Sequence, residues 1–291
     1  MTRILVLREG DEEALARFLS LYSDTSMFLR SNVQAAGIID ESQPLQATYA
    51  AARDDSGNIL AVAGHCWNGV MLLQCPEPAL IGPVARAAVE ASGRHVLGIS
   101  GPHDQTAAAR NELGLQKVRT LLDRPEQLFV LPLEKLQVPE MLLTGEARCT
   151  RSLEEDIPVL RRWRVEFCVE TLHHPDTHEL HDSCDRDVTF FHQRKLSWVL
   201  STVDGPVATS NFNAALPDAV QIGGVWTPHV FRGKGYARCV VAGSLVVARE
   251  EGVKRAVLFT AEDNMAAQSA YRAIGFEPAG RFGLILFDGA G

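Results

Sequence analysis

The segment Val225-Trp226-Thr227-Pro228-His229-Val230-Phe231-Arg232-Gly233-Lys234-Gly235-Tyr236-Ala237 constrains this chain more than any other. It reads as an apolar strand, a short loop, and a helix that opens at Arg-Gly-Lys-Gly. A glycine-rich turn at a helix start leaves several backbone N–H groups without helical partners and aims them at one point, where the helix dipole adds positive potential. Such a turn suits a phosphate or pyrophosphate. Gly233 and Gly235 let the main chain approach a ligand closely, and Arg232 and Lys234 add mobile positive charge for its oxygens. Two better-known phosphate loops do not fit. A P-loop would need Ser or Thr where Gly235 follows Lys234, and a dinucleotide fingerprint would need glycine where Arg238 stands.

Downstream, Tyr236–Glu251 has the apolar spacing of an amphipathic helix (Val240, Val241, Leu245, Val246, Ala248), and Gly252 can end it. Lys254–Thr260 reads as a buried strand and Met265–Ile274 as a helix closed by Gly275. Phe276–Phe287 reads as a final strand or hairpin. Asn264 and Tyr271 lie seven residues apart, close to two turns, and so share one helix face. Ala219–Thr227 reads as a strand interrupted by Gly223-Gly224, the mark of a bulge or of a close ligand approach.

The pattern Arg232-x-x-Gly235-x-Ala237, followed by Asn264…Tyr271-Arg272-x-x-Gly275-Phe276, resembles the acyl-CoA loop and second signature of the GNAT superfamily of N-acetyltransferases. The resemblance implies that backbone groups of Arg232, Gly233, Lys234, Gly235, Tyr236 and Ala237 hold the pyrophosphate of acetyl-CoA. It also implies that the strand at Val225, Trp226 and Thr227 splays from its neighbour and pairs with pantetheine, and that Asn264 contacts the pantetheine arm. Tyr271 would protonate the departing thiolate, with packing of its ring under the sheet as the alternative. Many members carry a general-base carboxylate on the splayed strand; here Gln221 stands in its place. The base comes from elsewhere or is dispensable: Glu166, Glu170, Glu262, Asp263 and His229 are candidates that spacing does not distinguish, and a water chain ending at a backbone carbonyl would also serve.

The preceding stretch completes the family's order, β-α-α-β-β-β-α-β-α-β. Glu146–Thr150 reads as a strand, Ser152-x-x-Glu155 as a capping box, Leu153–Leu172 and Asp182–Gln193 as helices, and Leu196–Val203 with Pro206–Leu216 as a hairpin. Acceptor amines enter over these helices in the family, which makes Trp163, Glu166, Phe167 and Glu170 candidate substrate contacts; packed or solvated helix positions would look the same. Four histidines between His173 and His181 invite a metal reading, but the zinc-protease spacing is missing and the chemistry needs no metal, so none is expected. A nucleophilic Cys168 or Cys184 is less favoured still.

The first half repeats the rhythm without the chemistry. Laying Gly114-Leu115 on Gly275-Phe276 puts His103 under Asn264 and Arg110 under Tyr271, and Cys75-Pro76-Glu77-Pro78-Ala79 takes the place of the phosphate loop with no basic residue. The expected architecture is α/β of the α+β kind. It comprises two tandem GNAT-like domains, each a mixed, mostly antiparallel sheet flanked by helices: a degenerate one over 1–138 and an acetyltransferase domain over 144–291. The expected activity is transfer of an acetyl group from acetyl-CoA to a primary amine. A non-catalytic acyl-CoA sensor is the alternative, and a tRNA-dependent aminoacyl transferase is a more distant one. A net charge of −8 argues against nucleic-acid partners, and no apolar run is long enough for a membrane span. Six cysteines without C-x-x-C spacing suggest reduced thiols in the cytoplasm. The pattern selects no particular amine and no oligomeric state.

Overall fold

In the computed structural model, residues 2–288 are described. Along the chain run β1 (Arg3–Val6), α1 (Glu12–Ser20), α2 (Met27–Ala36), β2 (Ala47–Arg53), β3 (Ile59–Cys66), β4 (Val70–Gln74), α3 (Pro78–Ser92), β5 (Gly98–Pro102), α4 (His103–Glu112) and β6 (Thr120–Pro132). There follow α5 (Glu140–Leu143), β7 (Arg148–Arg151), α6 (Ile157–Leu172), α7 (His178–Gln193), β8 (Ser197–Thr202), β9 (Gly205–Ala215), β10 (Ala219–Trp226), α8 (Tyr236–Glu250), β11 (Arg255–Ala261), α9 (Met265–Arg272) and β12 (Glu277–Phe287).

The chain divides into two compact units, residues 1–127 with 281–291, and residues 128–280. In the first, β1 to β4 pair antiparallel in order, β4 and β5 pair parallel, and β12 closes the row antiparallel to β5, with Phe282 opposite Pro102 and Leu286 opposite Gly98. The second has the same plan. Strands β7 to β10 are antiparallel neighbours, β10 and β11 are parallel, and β6 lies beside β11.

The boundaries cut through β6 after Gln127 and through β12 after Gly280, so each unit holds part of a strand that the sequence order assigns to the other half, which departs from a division at 138 and 144. Apolar complementarity is the cause. Phe129, Leu131 and Leu133 are buried with Trp198, Val240 and Leu245 in the core of the second unit, while Ile285 and Phe287 are buried with Val84 and Ile99 in the first. Removing residues 281–291 should strip β5 of one of its two neighbours, and hydrogen exchange at Gly98–Pro102 should then lose protection before that of β2 and β3.

Most elements fall where hydropathy places them, but three boundaries differ. Pro158 lies in the first turn of α6, where its missing N–H is harmless, and the preceding cap uses Asp156, whose carboxylate accepts from Leu153 N–H at 2.8 Å, in place of a Ser152–Glu155 box. Helix α7 starts at His178, with Thr177 as its N-cap, and absorbs half of the histidine cluster. Residues 277–287 form a single strand rather than a hairpin. Helix α8 lays Val240, Val241 and Leu245, all fully buried, on the sheet and crosses β7 at Gly243, where a Cβ would collide with Cys149. Among the described residues no helix is long and apolar enough to cross a membrane, and all six cysteines are unpaired.

Candidate functional site

Strand β10 begins paired on both sides. Ala219, Val220 and Gln221 face Arg255, Ala256 and Val257 of β11, and the pairing ends there. Among the described residues, β10 from Ile222 onward has only β9 as a neighbour, and that ladder slips twice, between Gln221 and Ile222 and between Gly223 and Trp226. The glycine pair is the local cause. Gly224 takes a left-handed φ of 58°, and a Cβ on Gly223 would overlap the Asn213 side chain. An open edge of backbone thus faces the gap between β10 and β11.

The gap leads to the glycine loop. His229–Phe231 form one turn of 3-10 helix, Gly233 and Gly235 adopt φ of 78° and 81°, and α8 starts at Tyr236 with no side-chain cap. Among the described residues the N–H groups of Gly233 through Arg238 have no backbone acceptor, and the first closed turn is Cys239 N–H to Gly235 O at 3.2 Å. This exposed row, with the helix dipole behind it, is what an anionic diphosphate needs.

Arg232 does not join that row. Its Nε donates to Thr227 O at 2.9 Å, its Nη2 meets Glu170 Oε1 at 2.9 Å, and its guanidinium stacks 4.8 Å over the Trp226 ring. His229 completes the knot, with Nε2 at 2.8 Å from Glu170 Oε2 and Nδ1 at 3.2 Å from Arg232 Nη1. The mobile charge expected of Arg232 is therefore spent on clasping the loop to α6. Lys234 is exposed and has no ion-pair partner among the described residues.

Trp163, Glu166, Phe167 and Glu170 share one face of α6, and all four turn toward Trp226 or its surroundings. Trp163 is 2% exposed and packs with Leu160, Val188, Val199 and Trp226. Phe167 meets Trp226 edge-on at 6.3 Å, and Glu166 accepts from Trp226 Nε1 at 3.2 Å. Behind them a small cavity opens beside Gly224, with Arg164 and Asn211 also in its wall. Sequence reasoning missed these two residues, because nothing local ties position 164 on a helix to position 211 on a strand.

Gln221 is 3% exposed at the point where the strands part, and its Nε2 has no partner among the described residues. Asn264 is exposed and caps α9, its side chain accepting from Ala267 N–H at 3.1 Å. Asn264→Ala should cost about 1 kcal/mol and Asn264→Ser much less, read by denaturant unfolding. Tyr271 is buried, its ring edge-on to Phe129 at 6.3 Å and Phe276 at 6.1 Å. The histidines disperse. His173 ends α6 in a left-handed conformation, His181 pairs with Asp176 at 2.7 Å, and no group of three metal-ligating side chains gathers among the described residues. Cys168 and Cys184 lie 3.8 Å apart, sulfur to sulfur, in the interface of α6 and α7. The Cys184 hydrogen bond, with help from the Arg164 charge, outweighs burial and pulls the Cys168 thiol below its usual value.

In the first unit the corresponding gap is plugged. Beyond the parallel pairing of β4 and β5, Gln105 Oε1 accepts from Cys75 N–H at 2.6 Å, and Cys75 turns its thiol to Glu77 O.

Residues 157–276 match the sequence pattern of the Acetyltransferase (GNAT) family. The matched segment covers 120 of the 291 residues and lies within the second unit. No curated protein matches the chain in sequence. Solved structures share the fold at low identity. A GCN5-related N-acetyltransferase from Sphaerobacter thermophilus aligns over 98% of this chain and 94% of its own, at 14% identity and a TM-score of 0.59. A tandem GNAT protein from the clavulanic acid biosynthesis pathway aligns over 98% of both chains, at 12% identity and a TM-score of 0.55. The chain also aligns over 98% of its length with a fungal multi-domain GH3 β-N-acetylglucosaminidase carrying a GCN5-related glucosamine N-acetyltransferase region. There it spans 38% of the larger protein, at 14% identity and a TM-score of 0.57.

Proposed function

We propose that the second unit transfers an acetyl group from acetyl-CoA to a primary amine by direct attack on the thioester. The observation that carries this reading is the open edge of β10 after Gln221 running into the unpartnered N–H row of Gly233–Arg238. One edge offers hydrogen bonds to an extended amide chain and the other to a diphosphate, which together are the polar features of a coenzyme A thioester. Acetyl-CoA supplies the activated acyl group.

The residues then divide the work. Backbone N–H groups of Gly233 to Ala237 hold the diphosphate, with Lys234 and the helix dipole adding charge. Backbone of Val225 to Thr227 orients the pantetheine, although the Thr227 carbonyl is already taken by Arg232. Backbone N–H near Val225 polarises the carbonyl, Tyr271 delivers a proton to the thiolate, and Glu166 and Glu170 draw a cationic amine toward Trp226. The first unit serves as a degenerate tandem partner without an acyl-CoA site, and unpaired cysteines suit a reduced, cytoplasmic setting.

The test is release of free coenzyme A thiol from acetyl-CoA in the presence of a panel of amines. Turnover that depends on the amine supports the proposal. Saturable acetyl-CoA binding with no thiol release for any amine would favour the second reading, a non-catalytic acyl-CoA sensor, for which Gln221 in place of a carboxylate speaks.

A further inference from the structure

The cavity beside Gly224 has one formal charge in its wall, that of Arg164. Asp187 of α7 accepts from Arg164 Nε at 3.1 Å and from Nη2 at 2.6 Å, which fixes the guanidinium plane along one edge. Its other edge is turned inward. The point a Cβ would occupy on Gly224 lies 3.7 Å from Arg164 Nη1 and 2.8 Å from Asn211 Nδ2. Asn211 is 8% exposed, and its side chain has no hydrogen-bond partner among the described residues.

Two donors thus converge on space left free because residue 224 has no side chain. The surrounding wall is aromatic, with Trp163, Phe167, Phe191 and Trp226, and no carboxylate reaches it. The acidic side chains lie elsewhere, Glu166 on the Trp226 indole N–H and Glu170 on the loop clasp.

We propose that this cavity takes the carboxylate of the acceptor, so that the amine substrate is an amino acid. The inference rests on the acetyl-transfer reading and names its acceptor class. An arginine has five N–H donors, and Asp187 uses two, so a second carboxylate can bind the remaining edge beside Asn211. The ammonium group then lies toward Glu166 and the open edge of β10, and the side chain lies outside the cavity, which has room for the carboxylate alone.

The experiment is titration of the full chain, without acetyl-CoA, with leucine, leucinamide and 3-methylbutylamine, followed by tryptophan fluorescence. These ligands share the amine and the branched chain and differ in the carboxylate. Leucine should bind at least tenfold more tightly than the other two. Arg164→Met should remove that preference, and Asn211→Leu, which leaves the Arg164–Asp187 pair in place, should reduce it severalfold. Equal binding of the three, binding of none, or a preference untouched by both substitutions would overturn the inference. Parallel titration with acetyl-CoA separates the two readings. Leucine preference without acetyl-CoA binding rejects the acetyl transfer alone, and acetyl-CoA binding without leucine preference rejects the acceptor class alone.

Discussion

A Gly235→Glu variant is expected to show no saturable heat in calorimetric titration with acetyl-CoA, where the natural protein saturates. Gly235 lies within the unpartnered N–H row with a left-handed φ of 81°, and a Cβ there would sit 3.0 Å from Arg238 Nε. A carboxylate at this position competes for the same N–H groups and repels the diphosphate. One added charge about 4 Å from a phosphate oxygen, at an effective permittivity of ~20, opposes binding by roughly 4 kcal/mol, about a thousandfold in affinity. The substitution also strains the backbone by about 1–2 kcal/mol. That strain is shared by free and bound protein, so Gly235→Ala isolates it and should keep affinity within about tenfold. Retention of binding by Gly235→Glu would place the diphosphate somewhere other than the start of α8.

The loop, the two helices around it and the glycine pair of β10 were legible because their signals are local. Glycines at 233 and 235 carry backbone requirements that no neighbour can override, and hydropathy marks α8 without help from tertiary structure. The exchanged strands were not legible. Leu128–Leu136 reads as an apolar run, and sequence cannot say which of two similar sheets buries it. Phe129 and Leu131 lie in the second core, and Ile285 and Phe287 in the first, because each fills a space set by residues distant in sequence. The same limit hid the clasp of Glu170, His229 and Arg232, whose members are separated by some sixty residues and meet only after α6 packs on β10. Arg232 read as a phosphate ligand because its neighbours in sequence belong to the phosphate loop; its neighbours in space are a carboxylate and an indole, and they set its direction.

Tyr271→Phe separates the two roles that the sequence leaves open for this residue. The ring is 6% exposed and wedged between Phe129 and Phe276, so phenylalanine preserves nearly all of the packing. Acetyl-CoA affinity should therefore stay close to that of the natural protein. If the hydroxyl delivers the proton to the leaving thiolate, the rate of amine-dependent thiol release falls about 10²- to 10⁴-fold, the range of a single general acid. The loss should appear in kcat rather than in acetyl-CoA affinity, because the proton moves only as the thioester breaks. Tyr271→Ala is the contrasting variant. It empties the space between two aromatic rings and should cost about 3–5 kcal/mol of stability, visible as a lower denaturant midpoint. A Phe variant with undiminished turnover and an Ala variant with lowered stability would assign Tyr271 to the core alone and require another proton donor near the gap between β10 and β11.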